Sequence, residues 1–257
     1  MSSFSLTDAL LVSDKDGYQR ATQSQFLRLA ANGRASKDML GRWLANDHLY
    51  IHSYVRGVGR LISFLEFPDT APLSTDDLGS TTKLLDWLVG ALVNIRREEK
   101  FFIQTAAQYG IRINLGTDLE GRVPQDAKLE GLRRWEALFD SLACGDSGNL
   151  PWLEAAVVYW GTERCYLDAW SWAKAQLTAQ EDANNDEDGG ALRNEFIGNW
   201  TSKEFSEFVD ELGAIIDEAV EEQVRKGGES AKQELLKRAE AKWLEILIAE
   251  EGFWPKM

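Results

Sequence analysis

Cysteine is scarce in this chain: Cys144 and Cys165 are the only two among 257 residues. They form neither a disulfide framework nor a thiolate metal site, so a reducing, cytoplasmic compartment is expected. Proline is nearly as rare, at five, and alternating β-branched runs are almost absent, which favours helices over sheet. Histidine occurs twice, at His48 and His52, one helical turn apart. Two imidazoles alone leave a metal site incomplete, so ordinary polar or interhelical roles and no metal are expected. No elbow motif supports a Ser-His-Asp triad. No Gly-rich phosphate loop is present, since Gly57-Val58-Gly59 falls inside a helical stretch and reads as close helix packing. No cofactor is therefore expected. The N-terminal Met-Ser-Ser-Phe-Ser-Leu lacks the basic start and apolar core of a secretory signal. No apolar run reaches the ~20 residues that cross a bilayer. Basic residues are outnumbered 28 to 42, for a net charge of -14. Such a field repels phosphate backbones and acidic headgroups, which excludes nucleic acid and membrane as partners.

What the chain has in quantity is tryptophan, ten residues of it. That many large rings require a thick core or an aromatic-lined cavity. Helical periodicity runs from end to end. The spacing predicts a helix over 15–32 closed by Asn32-Gly33, and a long one from the Ser36 cap to about Leu65. A third runs from Ser80 or Thr81 to Tyr109 and stops at Gly110; a short one spans 129–142. Pro151 opens the next, to about Ala179. Gln180–Gly190 reads as a polar surface loop. Helices over roughly 191–199, 202–226 and 229–251 complete one all-α domain spanning 1–257.

Two carboxylates stand where apolar residues belong. The helix starting at Ser36 carries a stripe at Leu40, Trp43, Leu44, Tyr50, Ile51, Tyr54, Val58, Leu61 and Leu65, and Asp47 falls in the middle of it. On the last helix, Leu236, Ala239, Trp243, Ile246 and Leu247 form a face that Glu250 extends by one turn, next to Phe253 and Trp254. Burying a carboxylate without a partner costs several kcal/mol or drives it toward its neutral form. Such a group is kept where another helix satisfies it or where it faces a cavity for a polar ligand. The 151–179 helix adds Tyr159, Glu163, Tyr166 and Trp170 on one side, with Thr162 and Cys165 on its flank. The pairs Glu98-Glu99 and Glu221-Glu222 read as solvated faces.

Several segments resemble the TenA (thiaminase II) family, whose fold is the haem-oxygenase-like helical bundle. Trp43-Leu44-Ala45-Asn46-Asp47-His48-Leu49-Tyr50 is similar to the family's Trp-Leu-x-x-Asp-x-x-Tyr signature, and Glu163–Tyr166 to its central helix. Trp200–Phe205 resembles its Tyr-x-Ser-x-Glu-Phe helix start, and Glu250–Trp254 its closing Glu-x-x-Phe-Trp. The resemblance implies a homo-oligomeric hydrolase that cleaves a C–N bond of aminopyrimidines, in thiamin salvage or degradation. In that reading Asp47 holds the amino group and ring nitrogen, Glu250 is general acid and base, and Tyr50, Tyr166 and Phe253 shape the slot for the flat ring.

The sequence also departs from the family. The nucleophilic cysteine expected four residues before Tyr166 is Thr162, a poor nucleophile without an adjacent base. Trp135 stands for an expected tyrosine, and the region around Arg193 lacks another. Three functional readings follow: an aminopyrimidine hydrolase in which Glu163 and Glu250 activate water, a catalytically silent binder of a pyrimidine or similar heterocycle, or an unrelated oxidase or interaction role on the same fold.

Overall fold

The computed structural model describes residues 4–71, 73–74, 78–145, 148–177 and 183–256. Among them every regular element is a helix: α1 Leu6–Ser13, α2 Lys15–Thr22, α3 Gln25–Ala31, α4 Lys37–Ser63, α5 Ser80–Tyr109, α6 Glu130–Asp140, α7 Leu153–Ala175, α8 Ile197–Trp200 and α9 Lys203–Phe253. None is long and apolar enough to cross a membrane.

Short polar side chains set the helix starts. Ser36 Oγ accepts from the Met39 amide at 3.3 Å, and Ser202 Oγ from the Phe205 amide at 3.2 Å, so α4 and α9 begin where capping chemistry predicts. At the other end of α5, Gly110 takes a left-handed φ of 66°, a conformation glycine adopts without a Cβ clash. The predicted 15–32 helix is broken. Ser24 caps a new helix, α3, through the Leu27 amide, and its local hydrogen bond outcompetes helix continuation. α1 precedes the first predicted helix and is pinned to α9 because Asp217 accepts from Ser5 Oγ, the Thr7 amide and Thr7 Oγ1 at 2.7–2.9 Å. The expected break between the last two helices is a kink inside α9, at Gly228.

The 180–190 loop also differs from expectation in its described part, where Asp186 and Asp188 are buried. Asp188 accepts from the Gly190 and Leu192 amides at 2.9 and 2.7 Å, and Asp186 pairs with Arg193 at 2.8 Å. These carboxylates are kept inside because backbone donors and a guanidinium satisfy them. Arg193 is thereby committed to this loop.

α7 forms the centre, packed along α9 and against α2, α3 and α8. All ten tryptophans except Trp172 are buried. Trp43 is the hub of an aromatic cluster with Phe26, Trp170, Trp200, Phe253 and Trp254, ring centroids 5.5–6.2 Å apart. Contact at Gly131 brings α6 against the end of α9: a Cβ there would sit 2.1 Å from the Phe253 amide and 2.3 Å from the Ala249 carbonyl. That approach encloses Glu250.

Candidate functional site

A cavity of about 340 Å³ opens between α4, α5, α7, α8 and the start of α9. α4 contributes Asp47 and Tyr50, α5 contributes Glu98, and α7 contributes Thr162, Glu163 and Tyr166; Trp200 and Phe205 close the far side. Asp47, Glu98 and Glu163 thus share one aromatic-walled space with a fourth carboxylate, Glu204, which is paired with Arg97 at 2.7 Å.

Asp47 is only 5% exposed, and its carboxylate makes no hydrogen bond or ion pair with any described residue. Burial raises its pKa well above the ordinary aspartate value, and the charges of Glu98 and Glu163 push the same way. Glu163 is raised to about 7, chiefly by burial; a Tyr54 hydrogen bond opposes the shift and Glu98 adds to it. Glu98 is also raised by burial, against the donors that bind it: Trp200 Nε1 at 2.6 Å and Asn199 Nδ2 at 2.9 Å. Across the cavity, the Tyr50 hydroxyl lies 2.7 Å from Thr162 Oγ1. Tyr166 stacks on Trp43 at 6.3 Å and an interplanar angle of 16°.

Of the residues singled out from sequence, Asp47, Tyr50, Thr162, Glu163 and Tyr166 border the cavity, whereas Glu250, Trp135 and Phe253 do not. These three form a layer behind Tyr50, whose ring contacts Trp135 edge-on at 5.8 Å and Phe253 at 5.6 Å. Glu250 is 2% exposed and raised to about 8 by burial. The Trp135 indole N–H faces it and lowers the shift, while Asp47 and Glu163 raise it. No well-aligned hydrogen bond closes there, so Trp135 Nε1 and Glu250 Oε1 both stay unsatisfied. Cys165 is fully buried away from the cavity, its thiol pushed up by burial first and by Glu250 second, which makes it inert as a nucleophile.

Glu98 and Glu99, expected on a solvated face, are instead both drawn inside. Each continues an apolar row of α5 at helical spacing: Leu88, Ala91, Ile95, Glu98, Phe102, and alongside it Leu88, Leu92, Ile95, Glu99, Phe102. The row was legible, but two adjacent acids look like a solvated face when their helix is considered alone. Glu99 is 4% exposed. Its Oε1 lies 3.2 Å from both His48 Nδ1 and His52 Nε2, and Arg96 donates to Oε2. Burial and the neighbouring His52 lower the His48 pKa, against the pull of Glu99. The two α4 histidines therefore meet Glu99 of α5 across the helix interface, and the three form one cluster of potential ligands.

This bundle, with its carboxylate- and aromatic-lined cavity, has the TenA-like form of the haem-oxygenase-like helical fold. Among solved structures it is similar to a TenA homologue from Pyrococcus furiosus, with a TM-score of 0.64 and 21% identity over 97% of this chain and 100% of that one. A TenA family transcription regulator from a Silicibacter species gives a TM-score of 0.66 at 14% identity, covering 97% and 94% of the two chains. No protein-family model matches the chain. Among curated proteins it is 28% identical to a probable transcription factor of Fusarium pseudograminearum, across 96% of this chain and 52% of that protein. The chain thus spans about half the length of that relative.

Proposed function

We propose that the cavity binds an aminopyrimidine of the thiamin type and that the chain hydrolyses the exocyclic C–N bond between the methylene carbon on the ring and its leaving amine, water supplying the hydroxyl and the amine departing with a proton. One observation carries this reading: Asp47 faces the cavity buried and without a partner, beside a second carboxyl, Glu163, whose pKa lies near neutrality. An aminopyrimidine offers an amino N–H donor next to a ring nitrogen. A carboxyl group meets both at once, accepting from the first and sharing a proton with the second. Tyr166 and Tyr50 flank the flat ring. Glu163, adjacent to Thr162, takes a proton from an attacking water, a role suited to a group titrating near the working pH. Glu250 holds a proton at neutral pH and is the acid of the pair. Because it sits behind Tyr50, it reaches the leaving amine only when substrate binding displaces that ring.

The test is release of the amine from thiamin and from simple aminopyrimidine amines, followed chromatographically. Asp47→Asn and Glu163→Gln are each expected to lower turnover by roughly 100-fold or more while leaving the helical signal intact. Undiminished turnover in both variants would sink the hydrolase reading.

A second reading, a silent binder, draws support from Thr162. Its hydroxyl is bonded to the Tyr50 hydroxyl rather than to a base, so it has no activation as a nucleophile. Saturable pyrimidine binding with no product on long incubation would select this reading. The name carried by the fungal relative belongs to a protein about twice as long. The net charge of -14 on this chain argues against DNA contact through it.

A further inference from the structure

We propose that His48, His52 and Glu99 form a binding site for a divalent first-row transition ion of the zinc type, which ties α4 to α5. The two histidines stand at i and i+4 on α4, the spacing that sets two imidazoles on one helical face. The third donor comes from the neighbouring helix. His48 Nδ1, His52 Nε2 and a Glu99 carboxylate oxygen lie within 4.8 Å of one another, and Glu99 Oε1 is 3.2 Å from each ring nitrogen. A tetrahedral ion with bonds of about 2.0–2.1 Å holds neighbouring ligand atoms about 3.3 Å apart, so Glu99 Oε1 already stands at ligand spacing from each imidazole, and the two ring nitrogens, within 4.8 Å of one another, close on the ion by side-chain rotation.

Two details favour a ligand over a purely structural contact. His48 Nδ1 is shielded from water and lies 3.2 Å from Glu99 Oε1 without the alignment of a hydrogen bond, whereas His52 Nε2 does hydrogen-bond to that same oxygen. Arg96 occupies Glu99 Oε2, which orients the carboxylate and leaves Oε1 directed at the histidines, as an outer partner does for a metal-binding carboxylate. Two nitrogen donors and one oxygen match zinc, nickel or cobalt rather than magnesium or calcium. The His48 and His52 side chains are 32% and 46% exposed, so an ion can enter from solvent and keep a water at its fourth position. The arginine's charge lowers the affinity for any cation.

The same two helices line the cavity, α4 with Asp47 and Tyr50 and α5 with Glu98. An ion joining His48 and His52 to Glu99 therefore fixes the α4–α5 spacing that forms one wall of the cavity. This role is independent of whether the cavity is catalytic or merely binds.

The test uses the full, untagged chain, stripped with a chelator and titrated with cobalt(II) and zinc(II). The expected result is one equivalent bound, visible d–d absorption with cobalt that zinc displaces, and a rise in melting temperature with metal concentration. His52→Ala, at an exposed position, and Glu99→Gln should each weaken binding by about tenfold or more. Circular dichroism verifies that each variant is folded; His52→Ala carries the test by itself if Glu99→Gln is not. No cobalt spectrum in the wild-type chain, or binding unchanged in a folded His52→Ala variant, overturns the proposal.

Discussion

The Tyr50 hydroxyl and Thr162 Oγ1 meet at 2.7 Å, bridging α4 and α7 at the wall of the cavity. The bond occupies the position where the family resemblance leads one to expect a thiol. It turns that position from a chemical group into a strut between two helices.

Replacing that strut with the expected group gives the first prediction. In the native wild-type chain, iodoacetamide should modify Cys144, which is exposed, and spare Cys165, which is fully buried. Thr162→Cys should add a second modified site, protected when a pyrimidine occupies the cavity. It should also cost about 1 kcal/mol, because a thiol is a weak partner for the Tyr50 hydroxyl. Peptide mass spectrometry reads the sites, and the prediction fails if Cys165 reacts as fast as Cys144.

Asp47 separates function from stability. Its carboxylate is buried without a protein partner, so the fold gains nothing from its charge. Asp47→Asn should melt at the same temperature as wild type or higher at pH 8, yet lose pyrimidine binding in calorimetry. A marked loss of stability would show that the group is held by the protein and not reserved for a ligand.

The raised carboxyls predict a pH trend. Glu163 at about 7 and Glu250 at about 8 keep their protons in the folded chain after the unfolded chain has released them near 4.5. Between those limits the folded state binds more protons, so their contribution is full below about 4.5 and is lost as pH rises through 7 and 8. Melting temperature should fall between pH 5 and pH 8. Glu163→Gln and Glu250→Gln should each flatten that fall. Parallel curves for wild type and both variants would contradict the assignment.

Two glycines two residues apart should respond in opposite directions. A Cβ at Gly57 would lie 2.5 Å from Tyr159 Oη and 3.0 Å from Phe139, both in the core, and Tyr159 is held by a bond to the Tyr54 carbonyl. Gly57→Ala should destabilise by about 1–3 kcal/mol. Nothing lies within 4 Å of a Cβ at Gly59, on the exposed side of the same helix. Gly59→Ala should stabilise by roughly 0.5–1 kcal/mol. Chemical denaturation of both variants measures the contrast. It also limits the close packing read from Gly57-Val58-Gly59 to its first glycine.

Much of the bundle was legible because its signals are local. Ser36, Gly110 and Ser202 act within one turn, and the stripes on α4 and α9 lie on single helices, so periodicity alone located Asp47 and Glu250 on apolar faces. The split at Ser24 was missed because one capping hydroxyl competes with an otherwise continuous pattern. α1 was missed because its anchor, Asp217, lies more than 200 residues away. Glu98 and Glu99 were misread for a related reason: each is defined by donors from other helices, Trp200 and Asn199 for one and the α4 histidines for the other.

By itself the sequence determined the helical class, the positions of most helix ends and the presence of carboxylates on buried faces, since these follow from spacing and capping along one stretch of chain. Tertiary structure alone decided which carboxylates share a cavity. It set Asp47, Glu98 and Glu163 around one space, held Glu250 behind Tyr50, turned Cys165 away, and brought Glu99 to the two histidines. Those outcomes depend on how α4, α5, α7 and α9 approach one another, and that approach is fixed by packing between residues far apart in the chain.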